Sequence, residues 1–249
     1  MLVPRIAEWY NGAKGGAFMK LGIFTDSHYS SQEITCGNRY NNKSLEKIRM
    51  AYDFFEMQKC DLVVCLGDLT DKETSREKEA ANLKKVAKII KESPIPTICL
   101  MGNHDAFTFS ETEFYEILSD CKPRIMKQEG KTLLFLDACY FKNGNHYLPG
   151  DTDWTDTFYP HIGDLEEQLE KAAGDVYIFI HQNIDPNIRE DHRVYNFSEI
   201  NDILQKSGKV KAVYQGHYHP GAESKHGDID YVSFPAMCEN EKAHYIREI

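Results

Sequence analysis

Five apolar segments of the chain are each followed directly by aspartate, histidine or asparagine side chains. The segments have the length of β-strands, and stretches with helical apolar spacing separate several of them. Strands that alternate with helices predict an α/β fold. In such folds, binding sites form beyond the carboxyl ends of the strands, which is where all five polar groups fall. The predicted strands are Leu21–Thr25, Asp61–Leu66, Ile95–Met101, Val176–Ile180 and Val210–Tyr214.

Helices are predicted where apolar residues recur at intervals of three and four. Ser110 stands three residues before Glu113, which is the pattern of a capping box at a helix start. Short strand-like runs on both sides of Gly130 and in the last third of the chain favour a mixed sheet or two sheets over a purely parallel one. The predicted helices span Lys43–Lys59, Ser75–Lys91 and Gly163–Ala173, and a fourth is capped by Ser198 and runs to Lys206.

Each of the five polar groups has an ordinary structural explanation when it is taken alone. Asp26 and Asp68 stand where turn residues are common, and a lone His181 is most often a satisfied core residue. The Gly216–His219 segment is more specific, because a period of two places both imidazoles on one side of an extended chain. Five such groups at five strand ends together indicate a function. The residues concerned are Asp26, His28, Asp68, Asn103, His104, Asp105, His181, His217 and His219.

The donor types in these groups are those of a metal centre. Carboxylate, imidazole and amide oxygen together suit divalent Mn, Fe or Zn better than Ca. Seven ligands are too many for one tetrahedral ion, and with one shared carboxylate they fit two ions. Two-metal sites clamp the attacking and leaving oxygens of a phosphoryl transfer. The donor types therefore predict two divalent ions and leave Mn, Fe and Zn open.

The complete pattern resembles the calcineurin-like metallophosphoesterase superfamily, whose motifs read DxH, GD, GNH(D/E), H and GHxH. The resemblance covers nearly all of residues 19–249. It implies a β-sandwich of two mixed sheets flanked by helices, and a shared carboxylate at Asp68. The implied ligands are Asp26, His28, Asp68 and His219 for one ion, and Asp68, Asn103, His181 and His217 for the other.

The resemblance also implies a mechanism. A water between two divalent ions is hydroxide-like near neutral pH and attacks phosphorus in line. His104 matches the family's catalytic histidine, which protonates the leaving oxygen or steadies its charge, and Asp105 is expected to orient it. General-acid help contributes roughly 10²–10⁴-fold to the rate. The expected reaction is hydrolysis of a phosphodiester or pyrophosphate bond, and a phosphomonoesterase of the same fold is the alternative.

Two features bear on the substrate. The Gly37–Tyr40 segment resembles the Mn-dependent ADP-ribose/CDP-alcohol diphosphatase-like branch, whereas the DSH motif is closer to the wider bacterial phosphodiesterase group, because that branch reads DxQ. Arg39 is expected either to bind a second phosphate in bidentate form or to make a surface ion pair. Tyr40 and His146 are further candidates for substrate binding. Residues 138–161 form a long aromatic-rich loop, in which we expect most rings to pack and one to stack on a base.

Charge and composition argue against a nucleic-acid-binding protein, a membrane protein and a disulfide-linked protein. The chain has 39 acidic and 29 basic residues, and a net charge of −10 disfavours a nuclease or any other partner of polymeric nucleic acid. We therefore expect a small phosphorylated substrate.

No apolar run approaches the roughly 18 residues of a membrane helix. Seven cysteines without CxxC spacing predict a reduced, cytoplasmic protein without disulfides. A non-catalytic scaffold is disfavoured because every ligand and His104 are present, and the oligomeric state is not predicted.

The domain organisation is simple. Residues 1–18 contain three glycines and no continuous apolar stretch, so they are predicted to be an N-terminal arm rather than a signal peptide. A short helix around Ile6–Tyr10 is the alternative. Met19 is a candidate start, in which case the arm is not native. Residues 19–249 are predicted to form a single metallophosphoesterase domain.

Overall fold

The computed structural model describes residues 18–150 and 157–249, in which ten strands form two sheets. The strands are β1 (Lys20–Phe24), β2 (Leu62–Cys65), β3 (Thr97–Cys99), β4 (Met126–Gln128), β5 (Lys131–Leu136), β6 (Asp175–Ile180), β7 (Val210–Gln215), β8 (Ala222–His226), β9 (Ile229–Ser233) and β10 (Tyr245–Glu248). All five strands predicted to precede the polar groups are present, so this part of the sequence interpretation is confirmed.

Six α-helices lie in the described part of the chain, together with three short 3₁₀ turns. The α-helices are α1 (Ser44–Met57), α2 (Arg76–Glu92), α3 (Asn103–Thr108), α4 (Glu111–Ile117), α5 (Ile162–Lys171) and α6 (Phe197–Ser207). The 3₁₀ turns are Asn41–Lys43, Ser119–Cys121 and Glu190–His192. Among the described residues, no helix is both long and apolar enough to span a bilayer.

Both sheets are mixed. The first has the order β10-β1-β2-β3, in which β1, β2 and β3 are parallel and β10 is antiparallel to β1. The second has the order β4-β5-β6-β7-β9-β8, in which β5, β6, β7 and β9 are parallel and the two edge strands are antiparallel. Parallel central strands carry their carboxyl ends to one edge of a sheet, so the polar groups that follow them are gathered there.

The two sheets pack face to face, and helices cover their outer faces. Alternation along β1 sends Leu21 and Ile23 into the layer between the sheets, where they meet Phe179 and Tyr214 of the second sheet. Phe24 points to the opposite face and joins the layer beneath α1 and α2. A third layer joins the second sheet to α5 and α6. The structure therefore confirms the predicted β-sandwich of two mixed sheets flanked by helices.

Helix starts were predicted with mixed success. Ser110 does cap α4, and Glu113 completes the capping box. Ser198 does not cap α6, because the helix begins one residue earlier, with Asn196 as its N-cap. The short helix α3 was not predicted, since its sequence reads as a turn; its first turn is closed by the Asp105 carboxylate, which accepts from the Gly102 N–H at 3.1 Å.

All seven cysteines are free, as predicted, and Cys36 is the exposed one. The described residues begin at Phe18, the last residue of the predicted N-terminal arm, so residues 1–17 of the arm lie outside them, as does Trp154 of the aromatic-rich loop. The single-domain boundary at residues 19–249 stays a prediction.

Gly22 is expected to be intolerant of a side chain. A Cβ at this β1 position would lie 2.6 Å from Cγ of Phe55, a fully buried α1 residue. Gly22→Ala should therefore lower the free energy of unfolding by about 1–3 kcal/mol through overpacking. The matched control is Gly163→Ala in α5, where a Cβ meets nothing within 4 Å, and where alanine should stabilise by roughly 0.5–1 kcal/mol. Urea unfolding of both variants measures the difference, and equal effects would contradict the packing argument.

Candidate metal centre and active site

The structure brings the five polar groups together at one end of the sandwich. Asp26 and His28 follow β1, Asp68 follows β2, and Asn103 begins α3 just beyond β3. From the second sheet come the residues after β6 and β7, which are His181, His217 and His219. Each sheet thus contributes one side of the site.

Asp26, His28 and His219 form a first cluster. The Nε2 atoms of His28 and His219 lie 3.2 Å apart. Oδ1 of Asp26 is 3.6 Å from Nε2 of His28 and 3.3 Å from Nε2 of His219. Asp26 and His28 are fully buried, and Oδ1 of Asp26 has no hydrogen-bond partner among the described residues. A buried carboxylate oxygen of this kind, facing two imidazole nitrogens, is a donor group that a bound cation would complete.

Asn103, His181 and His217 form a second cluster. Nε2 of His181 lies 3.2 Å from Oδ1 of Asn103 and 3.2 Å from Oδ2 of Asp68. Ligand atoms of Asp68, His181 and His217 all lie within 4.8 Å of one another. The Nδ1 atom of His181 is 2.9 Å from the carbonyl oxygen of Leu66, which it reaches as a donor, so Nε2 is left with its lone pair toward the cluster.

Asp68 lies between the two clusters. Its Oδ2 atom is 3.5 Å from Nε2 of His28 in the first cluster and 3.2 Å from Nε2 of His181 in the second. One carboxylate thus faces both sets of donors. The shared role that the family resemblance implies for Asp68 stays a prediction.

The electrostatics of the clusters suit cations. Burial raises the pKa of Asp26 and Asp68, but the neighbouring histidines outweigh it, so both pKa values lie well below the usual range. Burial also lowers the pKa of His28 to about 4 and, with help from His181, that of His217 to about 3. Burial acts the same way on His181 and His219, but Asp68 and Asp26 outweigh it and raise the pKa of His181 to about 10 and that of His219 to about 9. The site therefore holds two ionised carboxylates among four imidazoles, and carboxylate and imidazole are donors that divalent Mn, Fe and Zn accept.

The backbone has unusual dihedral angles at four of the predicted ligands. The backbone angle φ lies between +44° and +61° at these positions, a region that residues other than glycine rarely occupy. The four residues are Asp26, His28, Asp68 and His217. Such conformations cost of order 1–3 kcal/mol each and cluster at functional sites. Among the described residues, these four make up half of the non-glycine positions with positive φ, so the strain is concentrated at the site.

Two glycines of the motifs, Gly102 and Gly216, lie so close to neighbouring loops that no side chain fits there. A Cβ at Gly102 would lie 2.1 Å from Oδ1 of Asp68, and a Cβ at Gly216 would lie 2.2 Å from Oγ1 of Thr25. The loops after β2 and β3, and those after β1 and β7, can therefore pack only with glycine at these positions. This packing is what brings the ligands of different strands into contact.

His104 is held by Asp71 beside the clusters. Nδ1 of His104 lies 3.2 Å from Oδ1 of Asp71, and the ring meets the His28 ring edge-on with centroids 4.6 Å apart. Oδ2 of Asp71 accepts from Oγ1 of Thr35 and Nδ2 of Asn41. Burial lowers the pKa of His104, but Asp68 and Asp71 outweigh it and raise the pKa above its usual value.

The prediction that Asp105 orients His104 is wrong. The Asp105 carboxylate accepts from the backbone N–H groups of Leu69, Thr70 and Gly102 at 3.1–3.2 Å, and it is fully buried. Burial and the nearby Asp68 raise its pKa to about 7. Asp105 thus fixes the loop after β2 to the start of α3, and the orienting contact comes from Asp71.

Comparison with known proteins identifies the family. The calcineurin-like phosphoesterase family model matches residues 19–221. The chain belongs to the calcineurin-like phosphoesterases. With the two ligand clusters, this family membership makes the chain a metal-dependent phosphoesterase. Residues 222–249 lie beyond the match, although they supply β8, β9 and β10.

Similar proteins have related names. A probable cyclic nucleotide phosphodiesterase of Psychrobacter arcticus is 24% identical over 86% of this chain and 74% of its own length. Another, from Fibrobacter succinogenes, is 25% identical over 81% of this chain and 73% of its own. The crystal structure of a dimetal phosphatase from Danio rerio superposes with a TM-score of 0.77 at 17% identity, covering 92% of this chain and 91% of that one. This last likeness supports the phosphoesterase fold.

Arg39 lies in the site rather than on the open surface. Its Nη1 atom is 3.4 Å from Oδ2 of Asp71, and its side chain is 16% exposed. Arg39, Asp71 and His104 line a cavity of about 500 Å³, which Lys72 and Phe107 also border. Of the two roles predicted for Arg39, the surface ion pair is therefore replaced by a pair within the site. Phosphate binding by Arg39 stays a prediction.

The side chains of the other two predicted substrate residues, Tyr40 and His146, contact residues outside the two clusters. The Tyr40 side chain is 41% exposed, with Nζ of Lys43 5.2 Å from the centre of its ring. Nε2 of His146 lies 3.1 Å from Oδ2 of Asp137, and its Nδ1 lies 3.0 Å from the Tyr147 carbonyl oxygen. These contacts anchor His146 within the aromatic-rich loop, and its role in substrate binding stays a prediction.

Most of the described rings of the aromatic-rich loop pack, as expected. Tyr147 is buried against Phe158, whose ring lies 5.7 Å from the His217 ring. Tyr159 forms a parallel stack with Tyr195, with 5.5 Å between centroids and 8° between the planes. Tyr195 is 58% exposed. Tyr159 of the loop thus forms an accessible stack with Tyr195, and the neighbouring Phe158 is the loop residue that reaches His217.

Sequence reasoning missed three groups near the clusters. Asp71 stands three residues after Asp68, and this spacing was a usable signal. Cys238 is buried, and its Sγ lies within 4.8 Å of ligand nitrogens of His28 and His219. Glu239 contacts Nδ1 of His219. The last two lie outside every motif, so no local pattern pointed to them.

Proposed function

We propose that the protein hydrolyses a phosphodiester or pyrophosphate bond in a small, nucleotide-like substrate with the help of two divalent ions. The observation that carries the proposal is the position of Asp68, whose Oδ2 atom lies 3.5 Å from Nε2 of His28 and 3.2 Å from Nε2 of His181. A shared carboxylate between two donor sets supports a pair of ions rather than one. Mn is the first candidate, and Fe or Zn would accept the same donors.

The residues have distinct proposed roles. Asp26, His28 and His219 would hold one ion, and Asn103, His181 and His217 the other, with Asp68 between them. Bound divalent ions supply an activated water and neutralise charge on the phosphoryl group. His104 faces the 500 Å³ cavity with its Nδ1 held by Asp71. Its Nε2 is therefore the nitrogen from which a proton can pass to the leaving oxygen.

Two observations support a nucleotide-like substrate. Arg39 and Lys72 place positive charge at the cavity beside His104, where the leaving part of an anionic substrate would lie. The exposed face of the Tyr159 and Tyr195 stack offers a surface on which a base could extend the stack.

The names of the Psychrobacter and Fibrobacter relatives, which are probable cyclic nucleotide phosphodiesterases, favour a diester. The name of the Danio rerio protein, a dimetal phosphatase, favours the alternative, a phosphomonoesterase.

Removal and return of the metal tests the proposed reaction. The chelator-stripped protein should not hydrolyse bis(p-nitrophenyl) phosphate, and added Mn²⁺ should restore turnover, because the ions supply the nucleophile. A panel of ADP-ribose, CDP-choline, cyclic AMP, a glycerophosphodiester and a monoester then separates the bond types by kcat/KM. Equal activity before and after stripping would refute the metal-dependent reaction. A preference for the monoester would favour the phosphatase alternative.

A further inference from the structure

One histidine in each cluster has a hydrogen-bonding partner on the ring nitrogen that faces away from the cluster, and the two partners differ in kind. In the first cluster, Nε2 of His219 faces Oδ1 of Asp26 at 3.3 Å, while its Nδ1 contacts Oε1 of Glu239. In the second cluster, Nε2 of His181 faces the ligands, while its Nδ1 meets the carbonyl oxygen of Leu66 at 2.9 Å. The two imidazoles are thus oriented alike, but one rests on a carboxylate and the other on a neutral carbonyl.

Glu239 is fixed by the same segments that carry the first cluster. The Ala236 N–H donates to the His219 carbonyl oxygen at 3.0 Å, and the Cys238 N–H donates to the Asp26 carbonyl oxygen at 3.0 Å. The Lys47 ammonium donates to the carbonyl oxygens of Met237 and Asn240. The side chains of His219 and Glu239 are only 14% and 19% exposed. The carboxylate is therefore held in place behind His219 by the backbone rather than resting there by chance.

A carboxylate in this position has two effects on a metal-binding imidazole. It accepts the Nδ1 proton, which leaves the Nε2 lone pair directed at the ion. It also makes the imidazole a better electron donor than a neutral carbonyl would. Both effects act on the first cluster, since no described residue makes a comparable carboxylate contact behind His181.

We propose that Glu239 is a positioning residue that sets the affinity of the first cluster for its ion and so makes the two metal positions unequal. This inference rests on the proposed two-ion centre. It assigns a role to a residue beyond position 221, where the family match ends. Glu239 acts through His219 and does not itself touch the reacting atoms.

Calorimetric titration of the stripped, full-length protein with Mn²⁺ tests the proposal. Glu239→Gln keeps a hydrogen-bond acceptor but removes the charge, and it should weaken one of two Mn²⁺ binding steps by about 10–100-fold while sparing the other. Glu239→Ala should weaken the same step at least as much. Glu241→Gln, at an exposed position two residues along, is the matched control and should titrate as the wild type does. Thermal unfolding of the metal-free variants checks that each is folded.

The affected step can be assigned to the first cluster with His28→Ala. In that background the first position is already disabled, so adding Glu239→Gln should leave the remaining Mn²⁺ step unchanged. Two unaltered steps in Glu239→Gln, or two steps weakened equally, would overturn the inference while leaving the two-ion centre intact. Failure of the wild type to bind Mn²⁺ would instead overturn the proposed function, and this inference with it.

Discussion

Asp68→Ala should lower kcat/KM for bis(p-nitrophenyl) phosphate by at least about 10³-fold, because several kcal/mol of transition-state stabilisation are lost with the ions. The carboxylate faces His28 on one side and His181 on the other, so its removal disrupts both clusters. It also accepts the His104 backbone N–H at 2.9 Å, which the variant leaves without its partner. Steady-state kinetics with added Mn²⁺ and metal analysis of the purified variant measure the two effects.

The matched control for this variant is Asp53→Ala, which removes an exposed carboxylate on α1. It should leave both the metal content and the turnover unchanged, since surface substitutions away from special features have small effects. An Asp68→Ala protein that retains two bound ions and turns over like the control would show that Asp68 is not shared between them. Loss of one ion with partial activity would likewise argue against the shared position.

The ligand residues could be predicted because their positions depend on local sequence. Asp26 and His28 follow an apolar run directly, and the period of two in Gly216–His219 places two imidazoles on one side. Such patterns are read within a few residues, and parallel strands then bring the ends together. The structure confirms that the groups meet, and their roles as metal ligands remain proposals.

Adjacency in the sequence predicted the wrong partner for His104. Asp105 is next to His104 in the chain, but both lie in α3, where successive side chains diverge by roughly 100° around the helix axis. Asp105 therefore turns to the backbone after β2, while His104 turns to Asp71. Adjacency in sequence suggested a contact that helical geometry prevents, and the sequence alone read the segment as a turn.

Contacts between residues far apart in the sequence could not be predicted, for a different reason. β10 pairs with β1 in a register that places Lys20 opposite Glu248. The two residues are separated by nearly the full length of the chain. Glu239 reaches His219 across twenty residues without any repeating pattern. Contacts of this kind depend on how the sheets pack, which local periodicity does not encode. The sequence predicted two sheets as one option, but not the edge strand that closes the first sheet.

His104→Ala should keep both ions and lose about 10²–10⁴-fold of kcat, the range typical of general-acid catalysis. The metal clusters are expected to survive, because the His104 contact with Asp68 uses the backbone N–H and not the imidazole. Asp71 also keeps its donors Thr35 and Asn41, so no buried charge is left unpaired. Metal analysis and kcat with Mn²⁺ measure the outcome, and His226→Ala at the exposed end of β8 is the matched control.

The leaving group distinguishes proton donation from a purely structural role of His104. p-Nitrophenolate leaves without much protonation, whereas an alkoxide requires a proton as the bond to phosphorus breaks. The loss in His104→Ala should therefore lie near the lower end of the roughly 10²–10⁴-fold range for bis(p-nitrophenyl) phosphate and near the upper end for an alkyl diester. Equal losses on both substrates would contradict proton donation, and loss of bound Mn²⁺ would instead place His104 among the groups that hold the ions.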